Sequence, residues 1–74
     1  MGEITLEILQ ELWNTAEEST WDSLLTNIDE LHERDIITTD QWENLEFALS
    51  ELKNRNHEFP DSVGELAVFL KFYL

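Results

Sequence analysis

The first fifty-two residues lack lysine altogether and hold one basic side chain, Arg34, against fourteen acids. The whole chain of 74 residues carries 17 Asp and Glu against 4 Lys and Arg, for a net charge of −13. The imbalance is confined to that stretch, because in residues 53–74 Glu58, Asp61 and Glu65 are matched by Lys53, Arg55 and Lys71. Charge of one sign opposes compaction through self-repulsion and creates a field that attracts cations. Nucleic acids and membrane surfaces are themselves anionic, so direct binding to either is disfavoured. Cysteine is absent, which excludes disulfides and thiolate metal sites and fits a cytoplasmic location. The longest apolar stretch, Leu66–Leu70 with Phe72–Leu74 beyond Lys71, falls far short of the ~20 residues that span a bilayer. The start, Met1-Gly2-Glu3-Ile4, lacks the basic and apolar regions of a secretory signal.

What is present is a foldable composition. Hydrophobic residues make up 42% of the chain, and the aromatics are Trp13, Trp21, Trp42, Phe47, Phe59, Phe69, Phe72 and Tyr73. Acidic disordered tails lack such aromatics. The length predicts one domain over residues 1–74, near the lower limit for folding without a covalent or metal staple.

The apolar residues recur at helical spacing. Ile4, Ile8, Leu9, Leu12, Trp13 and Ala16 form one stripe, with Thr5 placed to cap it. Ser19-Thr20-Trp21-Asp22 offers a cap with an acid three positions later, opening a stripe of Trp21, Leu24, Leu25, Ile28 and Leu31. Arg34 to Asp40 reads as a connector, since two β-branched apolar residues precede two threonines. Trp42, Leu45, Ala48, Leu49 and Leu52 form the third stripe, ending near Asn56. The single proline, Pro60, pushes Phe59 out of the α region, and Asp61 or Ser62 can cap a restart. Val63, Leu66, Ala67 and Leu70 then form a fourth stripe, but Val68, Phe69 and Phe72 lie off it. A helix apolar on most sides is usually central. The expected fold is all-α, a compact bundle of four short helices, three acidic and amphipathic and the last apolar and packed among them. Ile37-Thr38-Thr39-Asp40-Gln41-Trp42 resembles the helical-hairpin turn of many small bacterial domains, which implies an αα-hairpin here.

The acids fall in rows. Glu3, Glu7 and Glu11 share a face of the first helix, with Glu18 further along if that helix persists. Asp22, Asp29 and Glu33 recur on the second, and Asp40, Glu43 and Glu46 on the third. Like charges at i, i+3 or i+4 each cost roughly 0.2–0.5 kcal/mol, and lysines that would offset this are missing. Solubility is the plain explanation for such a surface. The sharper one is that carboxylates stand where phosphates would, facing arginines and lysines of a basic protein. In size, charge and scarcity of cations the chain resembles the small acidic DNA-mimic inhibitors of phages and mobile elements, a class that includes anti-restriction proteins and nuclease immunity proteins. That resemblance implies a basic, nucleic-acid-binding protein partner. The candidate contacts are Glu7, Glu11, Glu18, Asp22, Asp29, Glu33, Asp40, Glu43 and Glu46. Phe47, set among Glu43, Glu46 and Glu51, is a candidate anchor within a charged rim, unless it closes a groove between helices.

Trp13, Trp21 and Trp42 fall on apolar stripes and read as core or helix-contact residues, Trp21 being the best placed for partial exposure. His32 and His57 form no i, i+4 pair, and no metal or nucleophile motif occurs. No cofactor, no metal and no catalysis are expected. The other functional reading is a helical adaptor or homodimer, whose apolar interface is the Phe69, Phe72, Tyr73 and Leu74 end and whose acids serve solubility.

Overall fold

Each helix opens on a hydroxyl. In the computed structural model, which describes residues 4–73 and leaves Glu3 and Leu74 outside the described residues, four helices follow one another: α1 (Leu6–Thr15), α2 (Trp21–Glu33), α3 (Thr39–Asn54) and α4 (Val63–Lys71). The side chains of Thr5, Thr20, Thr38 and Ser62 accept from the backbone N–H three residues on, at 3.3, 3.1, 3.2 and 3.3 Å. At α3 the cap is reciprocal, because Gln41 Oε1 accepts from the Thr38 N–H at 2.8 Å. The cap of α2 is Thr20 and not Ser19, which leaves Ser23 at the third helical position. There the Ser23 hydroxyl accepts from the Glu18 N–H at 3.0 Å, tying the α1–α2 linker to the helix it precedes.

Helices α2 and α3 end alike. After α2, the Asp35 N–H donates to the His32 carbonyl and the Ile36 N–H to the Leu31 carbonyl. After α3, Asn56 and His57 repeat this with Lys53 and Leu52. These are paired 5→2 and 6→1 closures, and they need a left-handed residue at the first position past the cap. Asp35 (φ 58°) and Asn56 (φ 54°) fill it without glycine. Asn and Asp tolerate that region, whereas a β-branched residue does not. Asn56→Val is expected to lower stability by about 1–2 kcal/mol in urea denaturation, while Asn56→Gly leaves it unchanged or raised.

The core is leucine packed between helices. Leu9 and Leu12 of α1, Leu24, Ile28 and Leu31 of α2, Leu45, Ala48, Leu49 and Leu52 of α3, and Leu66 and Leu70 of α4 are buried, with Ile37 closing the hairpin end. The main packing is α2 on α3, with α1 laid against α2 and α4 against α1. The Cα radius of gyration, 10.9 Å, matches the ~11 Å of a compact chain of this length. The bundle and the αα-hairpin are therefore as the sequence leads one to expect. The fourth helix differs. It lies at the edge of the bundle, with Val68 52% and Phe72 81% exposed. At nine residues it spans only ~13 Å, and the interior formed by α1–α3 takes only its Leu66/Leu70 stripe.

The connector that leads into α4 is held by aromatic rings. Phe59 stacks on Trp13 (5.7 Å between centroids) and meets Trp21 edge-on (5.0 Å). The Trp21 indole N–H donates to the His57 carbonyl at 2.8 Å, and the His57 ring lies 4.4 Å from that of Phe69. Arg55 sits over Tyr73 at 5.7 Å. The C-terminal ends of α3 and α4 thus lie together, and Pro60 between them is buried. Trp13, Trp21 and Trp42 are all half-buried contact residues. One polar side chain enters the core: Asn27, 6% exposed, donates through Nδ2 to the Leu12 carbonyl (2.8 Å) and to Thr15 Oγ1 (2.7 Å). The last carbonyls of a helix have no partner within it, so an α2 side chain closes the end of α1.

Candidate acidic partner interface

All ten candidate contacts are exposed, but they do not form one surface. Glu7 and Glu11 lie on α1, on the side away from its buried Leu9 and Leu12. Helix α1 ends at Thr15, so Glu18 leaves their row and falls in the linker. With Glu17, Asp22 and Glu30 it lines an open polar groove of about 270 Å³ beside Asn27. Glu18 would join the α1 row only if that helix persisted, and it does not.

The second group is the hairpin of α2 and α3. Trp42 on α3 donates its indole N–H to Asp29 Oδ1 on α2 at 2.7 Å, and Lys53 further along α3 pairs with Asp22 further back on α2. The reversed order of these contacts places the helices antiparallel. The last turns of α2 therefore stand beside the first turns of α3. Between Asp29 and Glu46 the chain carries seven carboxylates and one cation, Arg34, and Arg34 pairs with Glu30 at 3.2 Å. A net of six negative charges is therefore gathered on the last turns of α2, the connector and the first turns of α3.

Charge at this tip is little compensated from within. Among the described residues the ion pairs are Arg34–Glu30, Lys53–Asp22 and Arg55–Glu51 (4.0 Å). All involve exposed side chains, whose pairs contribute only about 0–1 kcal/mol. Asp22 is thus partly neutralised by Lys53, and Asp29 is committed to Trp42. Glu33, Asp40, Glu43 and Glu46 remain as the outward charge of the tip. The cations gather at the other end of α3, leaving the molecule polarised along that 16-residue helix.

Phe47 is 55% exposed and does not close a groove between helices. It lies in a shallow, open groove on the surface of α3 alone, among Trp42, Glu43, Glu46, Ser50, Glu51 and Asn54. Trp42 itself is stacked on His32 (5.2 Å, 17° between planes), whose Nε2 lies 3.0 Å from Thr39 Oγ1. An apolar ring is thereby set inside a carboxylate rim, beside a rigidly held indole. Glu51 and Trp42 belong to this groove although row membership alone did not select them. The i+4 offset of Glu51 from Phe47 was the signal for that residue, whereas Trp42, at i−5, had none. Among the described residues, no three His, Asp or Glu side chains converge as ligands for a metal ion, and no helix is long and apolar enough to cross a membrane. No protein-family model, curated protein or solved structure matches the chain.

Proposed function

We propose that this protein is an inhibitor of a basic, nucleic-acid-binding protein or nuclease, presenting carboxylates in place of phosphates in the manner of DNA-mimic anti-defence proteins. The observation that carries the reading is the net of six negative charges gathered at the α2–α3 tip, where Arg34 is the one cation of the chain that offsets them. Arginines that grip phosphate form charge-assisted hydrogen bonds with carboxylates equally well. Phe47 supplies what charge cannot, an apolar anchor that a guanidinium plane or an aliphatic stem can cover inside a charged rim. Glu33, Asp40, Glu43, Glu46 and Phe47 form the centre of the contact. Glu7, Glu11, Glu18 and Asp22 lie outside it and steer the approach of a cationic surface.

Displacement from DNA tests this directly. Lysate proteins held on duplex-DNA resin at low salt are challenged with the wild-type protein and with the triple variant Glu33→Gln, Glu43→Gln, Glu46→Gln. Wild type is expected to release a small set of basic proteins, and the variant to release far less at the same concentration. Equal release by both, or release by neither, would overturn the proposal.

A further inference from the structure

The outer face of α4 presents a knob and a hole. Gly64, Val68 and Phe72 recur at i, i+4 and i+8 and therefore share one face, opposite the buried Leu66 and Leu70. Phe72 is 81% exposed, although Phe69, Leu70 and Tyr73 around it are buried at least in part. Gly64 is equally unexplained by the chain itself. Its φ is not positive, and a Cβ built on it would meet only Ser62 Oγ, at an ordinary 3.7 Å. Glycine weakens a helix, and nothing in the monomer requires it here.

We propose that the protein self-associates through this face, α4 packing antiparallel on α4 of a second copy about a twofold axis at Val68. Gly64 and Phe72 lie four residues to either side of Val68, about 6 Å along the axis. An antiparallel twofold therefore seats each Phe72 over the partner copy's Gly64 and brings the two Val68 side chains together. Such self-complementarity is what a closed twofold contact needs. Charge selects the occupant. Glu65 and Lys71 cancel on this helix, so two chains of net charge −13 can meet here without placing acidic rows in contact. A cationic partner would find no field to follow to this face, and an anionic membrane would repel the chain as a whole. The contact is small, as befits a transient dimer. It leaves the acidic tip of each copy free, because the tip lies at the far end of α3 from the Arg55–Tyr73 and His57–Phe69 contacts.

This inference does not rest on the inhibitor reading, and salt separates the two. Partner binding by carboxylates weakens as salt rises, whereas self-association of like-charged copies through an apolar face strengthens. Sedimentation equilibrium is run from about 10 µM to about 1 mM, in dilute buffer and in high salt. Wild type is expected to dimerise, more tightly in high salt. Phe72→Ala and Gly64→Gln should each weaken the dimer tenfold or more, the latter with the monomer's thermal midpoint unchanged or raised. A chain that stays monomeric throughout, or a Gly64→Gln variant that dimerises like wild type, would overturn the proposal. Because the sequence has no cysteine, Val68→Cys adds a clean geometric test. It should oxidise to a covalent dimer much faster than Phe47→Cys, a site of similar exposure; equal rates would mean random collision and would also overturn it.

Discussion

Asn27→Asp is expected to remove about 3–5 kcal/mol of stability at neutral pH. Both hydrogen bonds of the native side chain are donated by Nδ2, to the Leu12 carbonyl and to Thr15 Oγ1. The Thr15 hydroxyl already donates to the Glu11 carbonyl at 2.7 Å, so it can turn its hydrogen toward a carboxylate only by giving up that bond. The substitution places a buried charge against two oxygen acceptors, at the inner wall of a groove that Glu17, Glu18, Asp22 and Glu30 already make acidic. An uncompensated buried charge costs about 3–5 kcal/mol, while a domain of this length is stable by only ~4–11 kcal/mol. Asn27→Leu, which removes the donors without adding charge, should cost about 1–3 kcal/mol for the orphaned carbonyl. Urea titrations followed by circular dichroism give both values. If Asn27→Asp were no worse than Asn27→Leu, Asn27 would not be the donor that closes α1.

The triple variant Glu33→Gln, Glu43→Gln, Glu46→Gln is expected to gain stability while losing its partner. It removes three like-charge pairs at helical spacing that no cation offsets, Asp29 with Glu33, Asp40 with Glu43, and Glu43 with Glu46, besides the pair of Glu33 with Glu30, whose charge Arg34 already meets. Each of the three costs roughly 0.2–0.5 kcal/mol, so the variant should be more stable by ~0.6–1.5 kcal/mol at low ionic strength. That corresponds to about 3–10 °C in thermal midpoint. Association with a basic partner should slow by at least about tenfold in dilute buffer, and its salt dependence should flatten, since steering is what the acids supply. Stopped-flow association at several salt concentrations and a melting curve read the two effects separately. Opposite signs for stability and binding are the mark of a surface shaped by a partner and not by folding. A variant that gained stability and still bound as fast as wild type would reduce the acids to a solubility coat.

How much of this was visible in the chain follows from what each signal depends on. Caps and apolar stripes are local, so Thr5 marks a helix start that the structure keeps, Thr38 and Ser62 are the caps it takes from the pairs Thr38/Thr39 and Asp61/Ser62, and the slip from Ser19 to Thr20 is likewise a choice between adjacent hydroxyls. The position of α4 is not local. Its apolar content suggested a central helix, but centrality depends on the room that other helices leave. The acid rows show the same division. Spacing along one helix placed Glu7 with Glu11 and Asp40 with Glu43. It could not show that Asp22 meets Lys53 or that Asp29 holds the Trp42 indole, because those contacts need α2 and α3 to be antiparallel. Exposure of Phe47 was likewise a question of how α3 rotates about its axis. The burial of Asn27 had a signal, since it stands three past Leu24 and four before Leu31 on the apolar side of α2, but spacing along one helix could not show that its partners lie on α1.

The anchoring of Trp42 has an optical consequence. Its ring is clamped between the His32 imidazole and the Asp29 carboxylate at the margin of the Phe47 groove, while Trp13 and Trp21 share Phe59 at the opposite end of α3. Indole emission responds to nearby charge and to exclusion of water, so the two ends of the molecule have separate intrinsic reporters. A cation arriving at the acidic tip should alter the emission of Trp42 alone. Loosening of the α3–α4 connector should be read by the other two. With Trp42→Phe as the blank, events at the groove can be followed in the unlabelled protein.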